Sequence, residues 1–261
     1  MQIEDILNGK MDRLREGIVD HDPIIQFIGY DWPMPTAARV LARLRDLGSA
    51  ENVAGMARFG IVPARAYGVP AEPIARLARE IGRNTALATQ LWDTGVHEAR
   101  ILAAFVIDPA ELTRKEMERW TREFDNWAVC DNCCIHLFRK TPFAWEKAIT
   151  WSGRRSEFAK RAGFATMAAL AVHDKRAPDQ KFLDLLPIIE REAADQRNFV
   201  KKAVNWALRQ IGKRNAELCK AAMETASRLK LSDSASARWI GSDALRELKT
   251  KFRTLSAGKT G

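Results

Sequence analysis

The chain has 261 residues and a net charge of +9, from 42 Lys and Arg against 33 Asp and Glu, so an anionic partner is expected, nucleic acid ahead of a membrane surface. No window reaches the ~20 apolar residues of a membrane span, and the start MQIEDILNGKMDRLREG lacks a signal peptide's apolar segment. These features predict a cytosolic protein. Cys130, Cys133, Cys134 and Cys219 form no disulfide framework. The Cys130-x-x-Cys133 spacing suits a metal or redox pair, but no second ligand pair follows it, so small buried apolar residues are expected and no metal or cofactor.

In chain order, residues 1–33 carry mixed charge and run into the bend-prone IGYDWPMP, which predicts an N-terminal arm or short capping helix. From residue 34 to 253 nearly every segment has helical periodicity, and no alternating β-branched run suggests a sheet. Pro, Gly and capping residues divide this stretch into helices over 35–47, 50–58, 70–82, 85–93, 96–106, 114–125, 127–139, 142–151, 155–173, 179–192, 196–212, 215–229 and 236–252. Helix pairs recurring every ~40 residues predict an all-α, HEAT or armadillo-like solenoid in one continuous domain, with a concave basic groove. The small polar segment 254–261 predicts a flexible tail.

Three helices carry candidate chemistry. In NFVKKAVNWALRQIGKR at 198–214, Val200, Val204, Ala207, Leu208 and Ile211 form a core stripe. Lys202, Trp206, Arg209 and Lys213 fall on the opposite side, at i, i+4, i+7 and i+11. Either Trp206 packs on a neighbouring helix with the cations as a solvated face, or the cations meet phosphates while the ring lies against sugar or base. In FDNWAVCDNCCIHLF, Trp127 and Asp131 lie one turn apart among apolar neighbours, with Asp125 and Asn126 placed to cap the helix. A carboxylate in such company must be hydrogen-bonded, paired or open to a cleft; a structural and a functional role stand equally open. Over 154–173, Arg154 and Arg161 share one stripe, and Arg161 is placed to pair with Asp131 or with a phosphate.

Asp125-x-Trp127-x-x-x-Asp131, Arg161 within FAKRAGFATMAAL, and above all VNWALRQIGKRN at 204–215 resemble the AlkD-type DNA alkylation repair family, DNA glycosylases built of HEAT-like repeats. The resemblance runs from about residue 35 to 250. It implies that Asp131 is the catalytic carboxylate, that Trp127 and Trp206 flank the lesion's sugar, and that Arg161 holds the backbone nearby. Arg154, Lys202, Arg209 and Lys213 complete the expected DNA-binding set. The family's early aromatic corresponds to Phe59 or to Tyr67, and a phenylalanine there lacks the hydroxyl of the expected tyrosine.

The resemblance thus implies hydrolysis of cationic N3- or N7-alkylated purines from double-stranded DNA by a monomer, nucleoid-associated when bound. Such a base needs no general acid, so one carboxylate can stabilise the oxocarbenium-like transition state and orient water. Two rivals remain: a DNA-structure-binding paralogue without excision activity, and a helical-repeat scaffold for protein partners. Metal-dependent hydrolysis through His136, Cys130 and Cys133 has little support, because a helix turns His136 away from Cys130.

Overall fold

The computed structural model describes residues 35–257, and the expectations for residues 1–33 and for the last four positions lie outside them. The described residues fold into α-helices joined by short loops, with no strand among them. In chain order the helices are α1 (Ala37–Asp46), α2 (Ala50–Met56), α3 (Ala71–Ile81), α4 (Thr85–Asp93), α5 (His97–Val106), α6 (Arg114–Arg122) and α7 (Trp127–His136). There follow α8 (Ala144–Ser152), α9 (Glu157–His173), α10 (Asp179–Leu183), α11 (Leu186–Glu192), α12 (Asn198–Gly212), α13 (Ala216–Lys230) and α14 (Ala235–Ala257). Single 3-10 turns follow α2 at Ala57–Phe59 and α7 at Phe138–Lys140.

Side chains at the starts fix several boundaries. Thr36, Ser49, Asn84 and Asn215 each accept a main-chain N–H of the first turn, and Thr113 with Glu116 forms a reciprocal capping box. Several boundaries differ from expectation, the helices expected over 114–125 and 127–139 ending at Arg122 and His136. The helix expected over 179–192 is broken into α10 and α11, because Pro187 in the first turn of α11 cannot continue a helix through its missing N–H. The last helix continues past 252 through Ala257, the last described residue, so positions 254–257 are helical rather than part of the expected flexible tail.

Helices pair as α4 with α5, α8 with α9 and α13 with α14, and α5, α7, α9, α12 and α14 stack in a row on one another. Repeated offsets across that row show that neighbours run parallel. The Cys130 and Cys134 thiols donate to the carbonyls of Phe158 and Ala162, 3.5 Å each, both 28 residues on. Lys201 lies over the Trp239 ring at 4.8 Å, Asn205 Nδ2 donates to Asp243 at 2.7 Å, and Arg209 pairs with Glu247, each 38 residues on. Helices α8 and α9 approach closely at Gly163, where a Cβ would stand 2.4 Å from the Ser152 nitrogen.

Two apolar clusters fill the stack. The first gathers α1 and α3 to α7 around the stacked Trp92 and Trp120 rings, centroids 4.0 Å apart, and draws in Ala162 and Ala165 of α9. The second joins α8 to α14, and Trp206 packs against both. All four cysteines are buried and free, and burial raises the thiol pKa values of Cys130, Cys133 and Cys219. They act as small core residues, with Cys130 and Cys134 also tying α7 to α9.

Candidate functional site

Helix α7 starts at Asn126, whose Oδ1 accepts from the nitrogens of Ala128 and Val129 at 3.0 and 3.1 Å. Its Nδ2 donates to Asp125 at 2.7 Å and faces His97 Nδ1 at 3.3 Å. Asn126 is fully buried, so this cap fixes the rotation of α7 and with it the direction of Trp127 and Asp131.

Of the two partners open to Arg161, the structure gives it Asp131. Nε and Nη2 donate to Oδ1 and Oδ2 at 2.9 and 2.7 Å, a bidentate pair between side chains only 7 % and 9 % exposed. Nη1 donates to the main-chain oxygen of Phe199 at 2.6 Å. Burial works against the Arg161 charge, but Asp131 outweighs it and holds the guanidinium pKa above its ordinary value. All three nitrogens are thus engaged inside the protein, where Arg161 positions a carboxylate. One arginine on α9 thereby joins α7 to α12.

Trp127 is nearly buried, its ring 5.9 Å from the Arg161 Cζ. Its indole N–H donates to the main-chain oxygen of Phe59 at 2.9 Å. Of the two early aromatics, Phe59 therefore reaches the site through its main-chain oxygen, the residue itself being exposed. Tyr67 has its ring under Arg45 at 5.5 Å, and its main-chain N–H donates to the buried Glu98 carboxylate at 2.9 Å.

The expected cationic stripe on α12 divides. Trp206 is half-buried and Lys202 half-exposed. Arg209 and Lys213 do not face solvent as free cations. Arg209 is 6 % exposed and paired with Glu247, with Asp243 at 3.9 Å, and Lys213 also pairs with Glu247. Burial alone would raise the Glu247 pKa, but Arg209 and Lys213 outweigh it and lower it. Arg209 misses its expected direction because the carboxylates that claim it come from α14, which periodicity within α12 cannot register. Arg154 is exposed, with Nη2 at 3.5 Å from Glu118.

His136 stacks on Phe105 at 4.3 Å, and burial first, then Lys140 and Arg139, lowers its pKa to about 3. No group of three or more His, Cys, Asp or Glu side chains fit to hold a metal occurs among the described residues. Nor is any helix among them long and apolar enough to cross a membrane. Sequence reasoning passed over Phe199, whose main-chain oxygen holds Arg161, and Gly60, which lies against the Phe199 ring. Phe199 reads as an ordinary first-turn residue of α12, and only the freedom of Gly60 to take its φ of 69° was available as a signal.

A family model described as DNA alkylation repair enzyme matches residues 40–248. The chain is also similar in structure to a protein described in "A new family of proteins related to the HEAT-like repeat DNA glycosylases with affinity for branched DNA structures". The TM-score is 0.67 at 21 % identity, covering 74 % of this chain and 83 % of that one. The stacked helix pairs are thus a HEAT-like repeat fold. No curated protein matches the chain at a significant level.

Proposed function

The chain belongs to the DNA alkylation repair enzyme family, and from that premise we propose that it is a DNA glycosylase for cationic N3- or N7-alkylated purines in duplex DNA, working as a monomer without a cofactor. The observation that carries this reading is the bidentate Asp131–Arg161 pair beside Trp127. Asp131 is buried, and the Arg161 guanidinium pairs with both of its oxygens, so the carboxylate has a charge-assisted partner inside the protein. A carboxylate has about four acceptor positions, and Arg161 occupies two, leaving others for the developing charge at C1′ or an attacking water.

An alkylated purine already carries the positive charge that makes it a leaving group. Asp131 stabilises the oxocarbenium-like sugar, and Trp127 and Trp206 offer π faces worth about 1–2 kcal/mol per ring when desolvated. Because the sugar is neutral before the glycosidic bond breaks, the stabilisation of its developing charge falls on the transition state. Lys202, Arg154 and the rim near Phe59 are the side chains assigned to the DNA backbone, since Arg209 and Lys213 are held by Glu247.

A second reading, DNA binding without excision, is favoured by the 6 % exposure of Asp131 and the engagement of both its oxygens. Release of methylated purine from duplexes carrying N7-methylguanine or N3-methyladenine separates the two. Excision requires release by the wild type and its collapse in Asp131→Asn at matched duplex affinity. Salt-sensitive binding with no release establishes the second reading, and absence of salt-sensitive duplex binding removes both.

A further inference from the structure

Residues 49–67 leave the helical stack as an excursion with a firm base and a thinly packed body. At the base, Ser49 N donates to the Tyr67 oxygen at 2.8 Å, Asn52 Nδ2 to the Gly68 oxygen at 2.9 Å, and Glu98 accepts from the nitrogens of Tyr67, Gly68 and Val69. Beyond the base, α2 buries no residue, and Val53, Phe59 and Val62 are exposed. Arg65 adds two ties near the base, its oxygen accepting from His97 N at 2.9 Å and its Nη1 donating to the Thr94 oxygen at 3.2 Å, and the stretch from Val53 to Val62 then depends on what its tip touches.

The tip touches two things. The Phe59 oxygen takes the Trp127 indole N–H, and a Cβ built on Gly60 would stand 2.6 Å from the Phe199 Cζ, so the Phe199 ring lies directly against the Gly60 main chain. The half-buried Phe199 also packs on Phe158, centroids 5.7 Å apart, and its main-chain oxygen is the third acceptor of Arg161. One residue at the start of α12 therefore meets both the tip that fixes Trp127 and the guanidinium that fixes Asp131.

We propose that Phe199 is a positioning residue: its ring seats the Gly60 tip so that the Phe59 oxygen locks the Trp127 indole in register with the Asp131–Arg161 pair. Its effect on excision rests on the function proposed above. Truncating the ring leaves the main-chain bond to Arg161 but opens the space that seats Gly60. Substituting Gly60, at φ 69°, displaces the same contact from the other side.

The test pairs a local readout with a catalytic one in Phe199→Ala, Phe199→Met, Gly60→Ala and the double variant Gly60→Ala/Phe199→Ala. The local readout is hydrogen exchange of the Trp127 indole N–H, assigned among the eight tryptophan signals by Trp127→Phe. Phe199→Ala and Gly60→Ala should each speed that exchange, and lower single-turnover release by on the order of tenfold or more while duplex affinity stays within about threefold. Phe199→Met, which refills the volume, should restore both, and the double variant should be no worse than either single one. Wild-type protection of the indole in Phe199→Ala overturns the proposal, as do additive effects in the double variant. A wild type that protects the indole yet releases no base refutes the excision reading alone, and the exchange data then decide the seating of Trp127 by themselves.

Discussion

Replacing Arg161 with Met removes a charge but leaves most of the side-chain volume, and so isolates what the guanidinium does. Three hydrogen bonds go with it, at 2.9, 2.7 and 2.6 Å, and the carboxylate left behind belongs to a side chain 9 % exposed. Stranding one partner of a buried pair costs about 3–5 kcal/mol, a large share of a domain's ~5–15 kcal/mol. At roughly 2–4 °C per kcal/mol for a chain of this size, the melting temperature should fall by roughly 6–20 °C. The same reasoning predicts partial recovery in Arg161→Met/Asp131→Leu, because the stranded charge is gone and an apolar pair fills the gap. Calorimetry of the three proteins at pH 7.5 is the assay. A fall below about 2 °C in Arg161→Met, or a double variant no more stable than the single, would refute the view that Asp131 depends on Arg161 as its buried partner.

Two further outcomes follow from neighbouring groups. Glu247→Gln releases Arg209 and Lys213 from their shared carboxylate, so duplex affinity should rise and the slope of log affinity against log salt should steepen by about one to two phosphate contacts, while thermal stability falls; an unchanged slope would mean that neither cation can reach DNA. His136 stays neutral in the fold down to about pH 3, whereas the unfolded chain protonates it below about 6.5. The unfolded state thus binds the extra proton, so stability is lost as pH falls, about 2 kcal/mol of it between pH 7 and 5, and His136→Phe should flatten that part of the stability profile.

The sequence discloses what is decided within one helix. Asn126 is legible as a cap, Val200 and Val204 as core, and Trp127 with Asp131 as one face, because capping and a 3.6-residue period are local rules. It is silent where a second helix decides. Arg209 shares a side of α12 with Lys202 and Trp206, yet Asp243 and Glu247 take it inward from 34 and 38 residues away. Pro187 was visible, but a proline fits the first turn of a new helix as well as it ends an old one, so the break before α11 was not read. The thiols of Cys130 and Cys134 resemble plain apolar residues until the carbonyls of Phe158 and Ala162 appear one turn apart opposite them.

These inter-helix terms place the site at a seam. Trp127 and Asp131 stand on α7, whose Val129, Cys130, Cys133 and Cys134 belong to the first cluster, whereas Phe199 opens α12, whose buried apolar residues belong to the second. Arg161 spans the two, and Trp206 packs against both. A stack of repeats is held mainly by nearest-neighbour interfaces, so a junction between two cores is where bending costs least. Bending there would alter the spacing between Trp127 and Trp206, the two rings assigned to the same sugar. A buried, three-point arginine at that junction resists such bending more than a surface ion pair could, since losing any one contact strands a desolvated partner. The Arg161 contacts therefore serve two ends at once: they give Asp131 its buried partner, and they hold the two halves of the proposed cradle at a fixed separation.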